Sequence, residues 1–299
     1  MANPANWLFN RKLWMPGWGE IALSALQLAL ISGMLLIPVF LPGETAFRSL
    51  SQLVASGFIG RLLHSFHSYA GDIFLLATGL HLIEYLYKKE YRSYVFKSWF
   101  VLLVLGVISL LVVFSGFLSI GSKESVSAQH ILVQIMTILG ALGRTINHFL
   151  MSTTAEQTAL STIYLHHAAT FSILGVILTY MHLRRLKAEP YTFYYTMILL
   201  LVLAVVLPAQ IGQPASSPAV VVKGPWYFIG LQEALSWMPV WGAGILLPAV
   251  ALILLSILPV LRQSEKAVLY ALGVLGVFYL FETIVGWFFR GEGWQLLLK

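Results

Sequence analysis

The sequence predicts an all-α integral membrane protein with about seven transmembrane helices. Of its 299 residues, 59% are hydrophobic and 10% are charged, whereas about a quarter of the residues in an average soluble domain are charged. Seven apolar segments are each close to the length, about 20 residues, that crosses a hydrocarbon core. Turns rich in proline, glycine, lysine and arginine separate these segments, which are roughly 20–41, 66–87, 96–118, 165–185, 192–209, 240–261 and 267–289.

The stretch between the third and fourth segments, residues 124–160, is too polar to cross a membrane. Its apolar side chains recur at helical spacing, at Ile131, Ile135, Ile138 and Leu142. This pattern predicts an amphipathic helix that lies on the membrane surface.

The distribution of positive charge predicts the orientation of the chain. With a cytoplasmic N-terminus, the cytoplasmic side receives eleven lysine and arginine residues and the other side seven, as the positive-inside rule requires. We therefore expect an integral protein of a prokaryotic cytoplasmic membrane. Because no basic stretch is interleaved with aromatic residues, we expect no nucleic-acid partner.

Two pairs of histidines inside apolar segments are the main functional signal. His67 and His81 are 14 residues apart, and His167 and His182 are 15 apart. On ideal helices the two rings of each pair are offset by about 40° and 60°, with a rise of about 21–23 Å. Ionisable side chains at membrane depth mark functional sites because they are costly there. For a single histidine, the alternative is a hydrogen bond to a neighbouring helix.

Two such pairs on facing helices suit two haem irons, one near each side of the membrane. The chain has no cysteine, which excludes thioether-attached haem and cysteine-ligated iron–sulfur clusters. No histidine–carboxylate cluster of short spacing indicates zinc. His64 and His166 compete as ligands, but His166 and His182 are about 160° apart on an ideal helix, which favours His167.

Five stretches carry a wider pattern: Ile31-Ser32-Gly33, Gly60 through His67 to His81, Ser115-Gly116-Phe117, Tyr164 through His167 to His182, and Gly224-Pro225-Trp226-Tyr227-Phe228. Together they resemble cytochrome b, the quinol-oxidising subunit of the bc and bf complexes, most closely over residues 20–185. The resemblance implies a dihaem-binding four-helix bundle in residues 1–190 and a three-helix part in residues 191–299. It also implies that His67 and His167 ligate an outer haem, and His81 and His182 an inner one.

The resemblance assigns further residues to the haem sites. Gly33 and Gly116 would be glycines whose missing side chain leaves room for the macrocycle, with ordinary helix packing as the alternative. Arg61 would pair with a haem propionate or anchor its helix at the interface. One position departs from the family, because Leu102 stands where the first glycine of the third helix is expected.

The proposed quinone site departs from the family more strongly. The loop glutamate that takes a proton from quinol is Pro225 here. Glu233, two turns later, is a candidate substitute and Tyr227 a second quinone-site residue, with a merely hydrogen-bonded carboxylate as the alternative for Glu233. Asp72, at membrane depth, is a further candidate for carrying protons to or from a quinone.

By this resemblance the protein is the electron-transfer subunit of a quinol oxidoreductase complex, with two haem b groups and quinone or quinol as substrate. The expected partners are a c-type cytochrome and/or an iron–sulfur protein, membrane lipid and a second copy of the chain. Two alternatives stay open. One is a dihaem membrane anchor of a non-Rieske oxidoreductase with a single quinone site, and the other is a haem-free proton-coupled transporter.

Overall fold

The computed structural model describes residues 16–152, 156–184, 186–218 and 222–297. Within these ranges the chain forms helices and connecting loops, and no β-strand. The helices are α1 (Trp18–Leu36), α2 (Ala46–Ala55), α3 (Phe58–Tyr87), α4 (Phe96–Ser119), α5 (Lys123–Ile138), α6 (Gly140–Met151), α7 (Glu156–Leu165), α8 (Ser172–Leu183), α9 (Pro190–Val206), α10 (Trp226–Trp237), α11 (Leu247–Ile257) and α12 (Glu265–Phe288).

The predicted fold class is confirmed, since each of the seven apolar segments contains one of these helices. Among the described residues, four helical stretches are both long and apolar enough to cross a membrane: Trp18–Leu36, Phe96–Ser119, Ala159–Leu183 and Arg262–Phe288. Helices α9 and α11 are shorter apolar helices. Helix α3 has 30 residues and is therefore about 45 Å long, enough to cross a bilayer despite its charged residues.

The segment 124–160 differs from the prediction, because two helices replace the single surface helix. Helix α5 ends at Ile138 and α6 begins at Gly140, whose φ of +60° is a left-handed conformation that glycine adopts without steric cost. The side chain of Gln129 donates a hydrogen bond to the carbonyl of Leu118 at 3.0 Å. Helix α5 is therefore fixed to the end of α4.

Two helix pairs bring the four histidines together. Helix α1 packs along α3 through small side chains such as Ala25 and Ala77, which allow close approach between membrane helices. Helix α4 packs along the α7–α8 stretch, where Ile108 contacts Phe171 and Leu178 in one buried cluster. The histidine-bearing helices α3 and α8 each have a partner helix that lines the space between them.

The C-terminal helices are tied to this bundle by polar contacts. Arg92, after α3, donates two hydrogen bonds to Glu265 at the start of α12, at 2.7 and 2.8 Å. On α4, the indole N–H of Trp99 donates to the carbonyl of Leu255 at 2.7 Å. These contacts fix α11 and α12 against the end of the bundle that carries His81.

Candidate functional site

The outer pair consists of His67 on α3 and His167 in the π-helical turn between α7 and α8. The ring centroids are 6.1 Å apart and the ring planes are 83° apart. Nitrogen–metal bonds of about 2 Å from each ring, together with the two ring radii, give a centroid separation of roughly 6 Å. The observed spacing therefore fits one metal ion between two imidazoles.

Both outer rings are oriented by backbone carbonyls. Nδ1 of His67 lies 3.1 Å from the carbonyl oxygen of Ala29, with the hydroxyl of Ser32 also at 3.1 Å. Nδ1 of His167 lies 2.8 Å from the carbonyl oxygen of Val112. A carbonyl only accepts, so Nδ1 of each ring carries the hydrogen and Nε2 is left as the metal-binding lone pair.

Gly33 and Gly116 make room for these two rings. A Cβ atom on Gly33 would lie 3.1 Å from Cε1 of His67, and a Cβ on Gly116 would lie 2.7 Å from Cε1 of His167. The close approach inferred for these glycines is therefore present, and the group that uses the space is the imidazole. In both cases the carbonyl that accepts from the ring is four residues before the glycine.

Gly19 makes the same contact at the inner pair and was missed by the sequence analysis. A Cβ on Gly19 would lie 3.0 Å from Cε1 of His81 and 3.3 Å from both of its nitrogens. A signal for it was available, because Gly19 is 14 residues before Gly33, the same spacing that separates His67 from His81.

The inner pair, His81 and His182, is also brought together, since the two imidazoles interact electrostatically. Both rings are half-buried. Nδ1 of His81 is buried and has no hydrogen-bond partner; the nearest carboxylate oxygen recorded for it, on Glu84, is 3.9 Å away. The ring of Tyr85 packs on His81 with centroids 4.6 Å apart.

The competing histidines are placed differently. His166 uses both ring nitrogens, with Nε2 2.7 Å from the carbonyl oxygen of Phe149 and Nδ1 3.1 Å from the hydroxyl of Thr170. It therefore has no nitrogen free for a metal, which supports His167 as the ligand. His64 is buried, with 4% of its surface exposed, and is not a surface residue.

A π-helical turn over His166–Phe171 explains the spacing of the second pair. Such a turn inserts one extra residue into an α-helix and occurs frequently at functional sites. The 15 residues from His167 to His182 therefore correspond in phase to the 14 from His67 to His81, which is an offset of about 40°.

The residues at both pairs fit haem rather than a structural metal ion. In the described part of the chain, no group of three or more histidine, aspartate or glutamate side chains is placed to hold a metal ion. Zinc usually takes four such ligands in structural sites, whereas haem iron needs only axial ligands from the protein. Paired imidazoles beside glycines, with an unpartnered Nδ1 on His81, match that requirement.

A second feature is a cavity of about 190 Å³ beside the loop that begins at Gly224. The polar side chain in its lining belongs to Gln232, whose amide holds the loop by donating to the carbonyl of Val222 at 2.8 Å and accepting from the N–H of Gly224 at 2.9 Å. The other residues around the cavity are Phe114, Ala128, Ile131, Leu132, Ile135, Met136, Pro225, Phe228, Leu231, Leu235, Gly244 and Pro248. The lining therefore carries no titratable side chain.

Glu233 lies on the other face of α10, towards α12. Its carboxylate is fully buried and forms an ion pair with Arg290, and it accepts hydrogen bonds from the indoles of Trp237 at 2.6 Å and Trp294 at 2.9 Å. Burial raises the pKa of this carboxyl, but these hydrogen bonds outweigh burial and lower it. The hydrogen-bonded alternative describes Glu233 well.

The remaining candidates surround the start of α10. The indole N–H of Trp226 donates to Oδ1 of Asp72 at 3.0 Å. Burial and the negative charge of Asp72 raise the pKa of Tyr227, whose carbonyl accepts from the hydroxyl of Tyr279 at 2.6 Å. Arg61 is exposed in the first turn of α3.

This arrangement defines an α-helical membrane protein with the ligand set of a b-type cytochrome. Residues 11–190 match the family described as cytochrome b/b6/petB, and the chain belongs to this family. Its members are haem-binding membrane proteins of electron transport.

Similar proteins extend the likeness over most of the chain. A cytochrome b of Eptatretus burgeri is 22% identical over 308 residues, which cover 89% of this chain and 80% of that protein. A cytochrome b of Dictyostelium citrinum is 24% identical over 287 residues, covering 85% and 73%. A solved structure described as a hyperthermophilic respiratory Complex III has the same fold, with a TM-score of 0.69, 18% identity, and coverage of 90% of this chain and 82% of that one.

Proposed function

We propose that the protein is a dihaem cytochrome b that carries electrons across the membrane between quinone and a redox partner within a quinol oxidoreductase complex. The observation that carries the proposal is the outer pair, in which two imidazoles are 6.1 Å apart. Each of them is oriented by a carbonyl four residues before a glycine. Membership of the cytochrome b family supports haem b as the group between them.

In this proposal His67 and His167 hold the outer haem, and His81 and His182 the inner one. The haem supplies one-electron redox chemistry when bound. The chain fixes the tautomer and the orientation of the outer ligands through the carbonyls of Ala29 and Val112. It also surrounds them with apolar helices, which exclude water and so influence the reduction potential.

We place the substrate, a quinone or quinol, in the cavity beside Pro225. Its volume and apolar lining suit the ring of a quinone, since small-molecule sites are mostly apolar concavities. The proposed partners are a c-type cytochrome and/or an iron–sulfur protein, membrane lipid and a second copy of the chain. The proposal keeps a cytoplasmic N-terminus in a prokaryotic membrane, a propionate or interfacial role for Arg61, and a boundary near residue 190 between the two parts.

One alternative is favoured by a specific observation. The loop residue Pro225 cannot accept a proton, and the cavity lining carries no titratable side chain. A dihaem membrane anchor with a single quinone site would need no proton acceptor in this cavity. Such an anchor would exchange electrons with a non-Rieske oxidoreductase.

Anaerobic reduction of the b-type absorption band in membranes containing the protein tests the proposal. A hydroquinone such as decylubiquinol or menadiol should reduce the band, and in the presence of an inner-site inhibitor an added oxidant should reduce it further. Reduction that the inhibitor abolishes completely would favour the single-site anchor. A preparation without a b-type band would contradict both haem-based functions.

A further inference from the structure

The oxidation of a hydroquinone releases two electrons and two protons, so a site for this reaction needs a proton acceptor. The cavity beside Pro225 has no titratable side chain in its lining. The carboxylate of Glu124 is occupied by the backbone N–H of Gln213, at 3.1 Å. Glu233 points to the opposite face of α10 and is neutralised by Arg290. The acceptor must therefore come from another element.

Asp72, the single aspartate of the chain, reaches the same loop from α3. Its Oδ1 accepts the indole N–H of Trp226 at 3.0 Å, and Trp226 directly follows Pro225. No other hydrogen bond of this carboxylate is recorded within the described residues, so Oδ2 can accept one more. The phenol groups of Tyr69 and Tyr227 are close enough to interact electrostatically with Asp72.

The position of Asp72 along α3 links it to the outer haem site. It is five residues after His67, a rise of about 7.5 Å. An acidic residue at this depth is costly in a membrane helix and is characteristic of proton transfer. A hydrogen bond from a neutral indole does not neutralise the carboxylate, in contrast to the ion pair of Glu233 with Arg290.

We propose that Asp72 is the proton acceptor for hydroquinone at the cavity beside Pro225, in the role that the loop glutamate has in the family. The inference rests on the proposed function. The O–H bond of the hydroquinone breaks, the proton binds to the Asp72 carboxylate, and the electron pair stays on the hydroquinone oxygen. Two one-electron acceptors, the ferric outer haem and a metal centre of a partner protein, then take the electrons, and the second proton passes to water.

Two substitutions separate a base from a residue that merely positions the loop. Asp72→Asn keeps an oxygen that accepts from Trp226 but cannot take a proton. Trp226→Phe removes the N–H donor and keeps the carboxylate. If Asp72 is the base, Asp72→Asn slows the oxidant-induced reduction of the outer haem by hydroquinone about 10²–10⁴-fold, while Trp226→Phe keeps most of the rate. Asp72→Glu restores a measurable rate with a shifted pH profile.

The whole complex is used, with Glu44→Gln, an exposed carboxylate substitution, as the matched control. The haem spectrum of each variant reports whether it has folded. A wild-type rate in Asp72→Asn together with a loss in Trp226→Phe would overturn the inference in favour of positioning, and would leave the proposed function standing. If hydroquinone does not reduce the outer haem of the wild-type complex, the outer quinone site itself is wrong, and this inference falls with it.

Discussion

The outer and inner histidine pairs use the same construction to different degrees. At the outer pair, both imidazoles donate to a carbonyl four residues before a facing glycine. At the inner pair, His81 faces Gly19, but α1 begins only at Trp18, so the helical turn that would supply the equivalent carbonyl is missing. Nδ1 of His81 accordingly has no hydrogen-bond partner.

The fourth position shows the same difference. Leu102 is 14 residues before Gly116, where the repeat would place a glycine facing His182. Its side chain packs against the buried cluster of Tyr91, Trp99 and Leu258. The outer site is thus organised by the protein backbone itself, while the inner site relies more on side chains and on the bound group. Substitutions at the outer site should therefore have the larger and more specific effects.

The largest effect is expected at the outer ligand. His167→Ala should lower the haem content by one haem per chain, because no neighbouring side chain has a free nitrogen to replace it. The matched control is His166→Ala, whose ring is hydrogen-bonded to Phe149 and Thr170 and which should keep both haems. The pyridine haemochrome assay measures the result, and equal haem loss in the two variants would show that the ligand is assigned wrongly.

The next largest effect is expected where a glycine faces an outer ligand. In Gly116→Ala the new Cβ would lie 2.7 Å from Cε1 of His167, so the ring must move and lose its bond to Val112. We expect partial loss of the outer haem and destabilisation of about 1–3 kcal/mol, as in other overpacked interiors. Gly106→Ala on the same helix, with nothing within 4 Å, is the control. Identical haem content and thermal stability in the two variants would refute the assigned role.

A smaller effect is expected from Gly19→Ala at the inner pair. The added Cβ would lie 3.0 Å from Cε1 of His81, and this ring has no Nδ1 hydrogen bond to lose. The inner spectral component should shift while the outer one is unchanged. Gly17→Ala, where the Cβ meets nothing within 4 Å, should leave both components as they are. A change confined to the outer component would contradict the pairing of Gly19 with His81.

The smallest effect is expected from Glu84→Gln. The carboxylate is 3.9 Å from Nδ1 of His81 and stabilises positive charge there, but it is partly exposed and paired with Lys88. Its loss should raise the inner potential by some tens of millivolts, because solvent and the lysine screen the charge. Potentiometric titration of both haems measures this, with Glu44→Gln as the control. An equal shift of the outer potential would count against a local effect.

Local patterns in the sequence were sufficient for the fold class and for the four histidines. Apolar length predicts each transmembrane segment, and helical phase selects His167 over His166. The break at Gly140 and the π-helical turn at His166–Phe171 could not be predicted, because both depend on how neighbouring helices pack.

The environment of Glu233 was also beyond reach of the sequence. Its partner Arg290 is 57 residues away, and only the packing of α10 against α12 brings the two together. The same holds for Asp72 and Trp226, which are 154 residues apart. Gly19 is different in kind, because the 14-residue repeat with Gly33 was visible in the sequence.

The most direct test of the central claim is the haem stoichiometry of the purified protein, measured together with a redox titration of its reduced-minus-oxidised spectrum. Two bis-histidine sites predict two haem b per chain and two one-electron components of similar amplitude, one of which disappears in His167→Ala. One haem or none per chain, or a single component in the wild-type protein, would contradict the account.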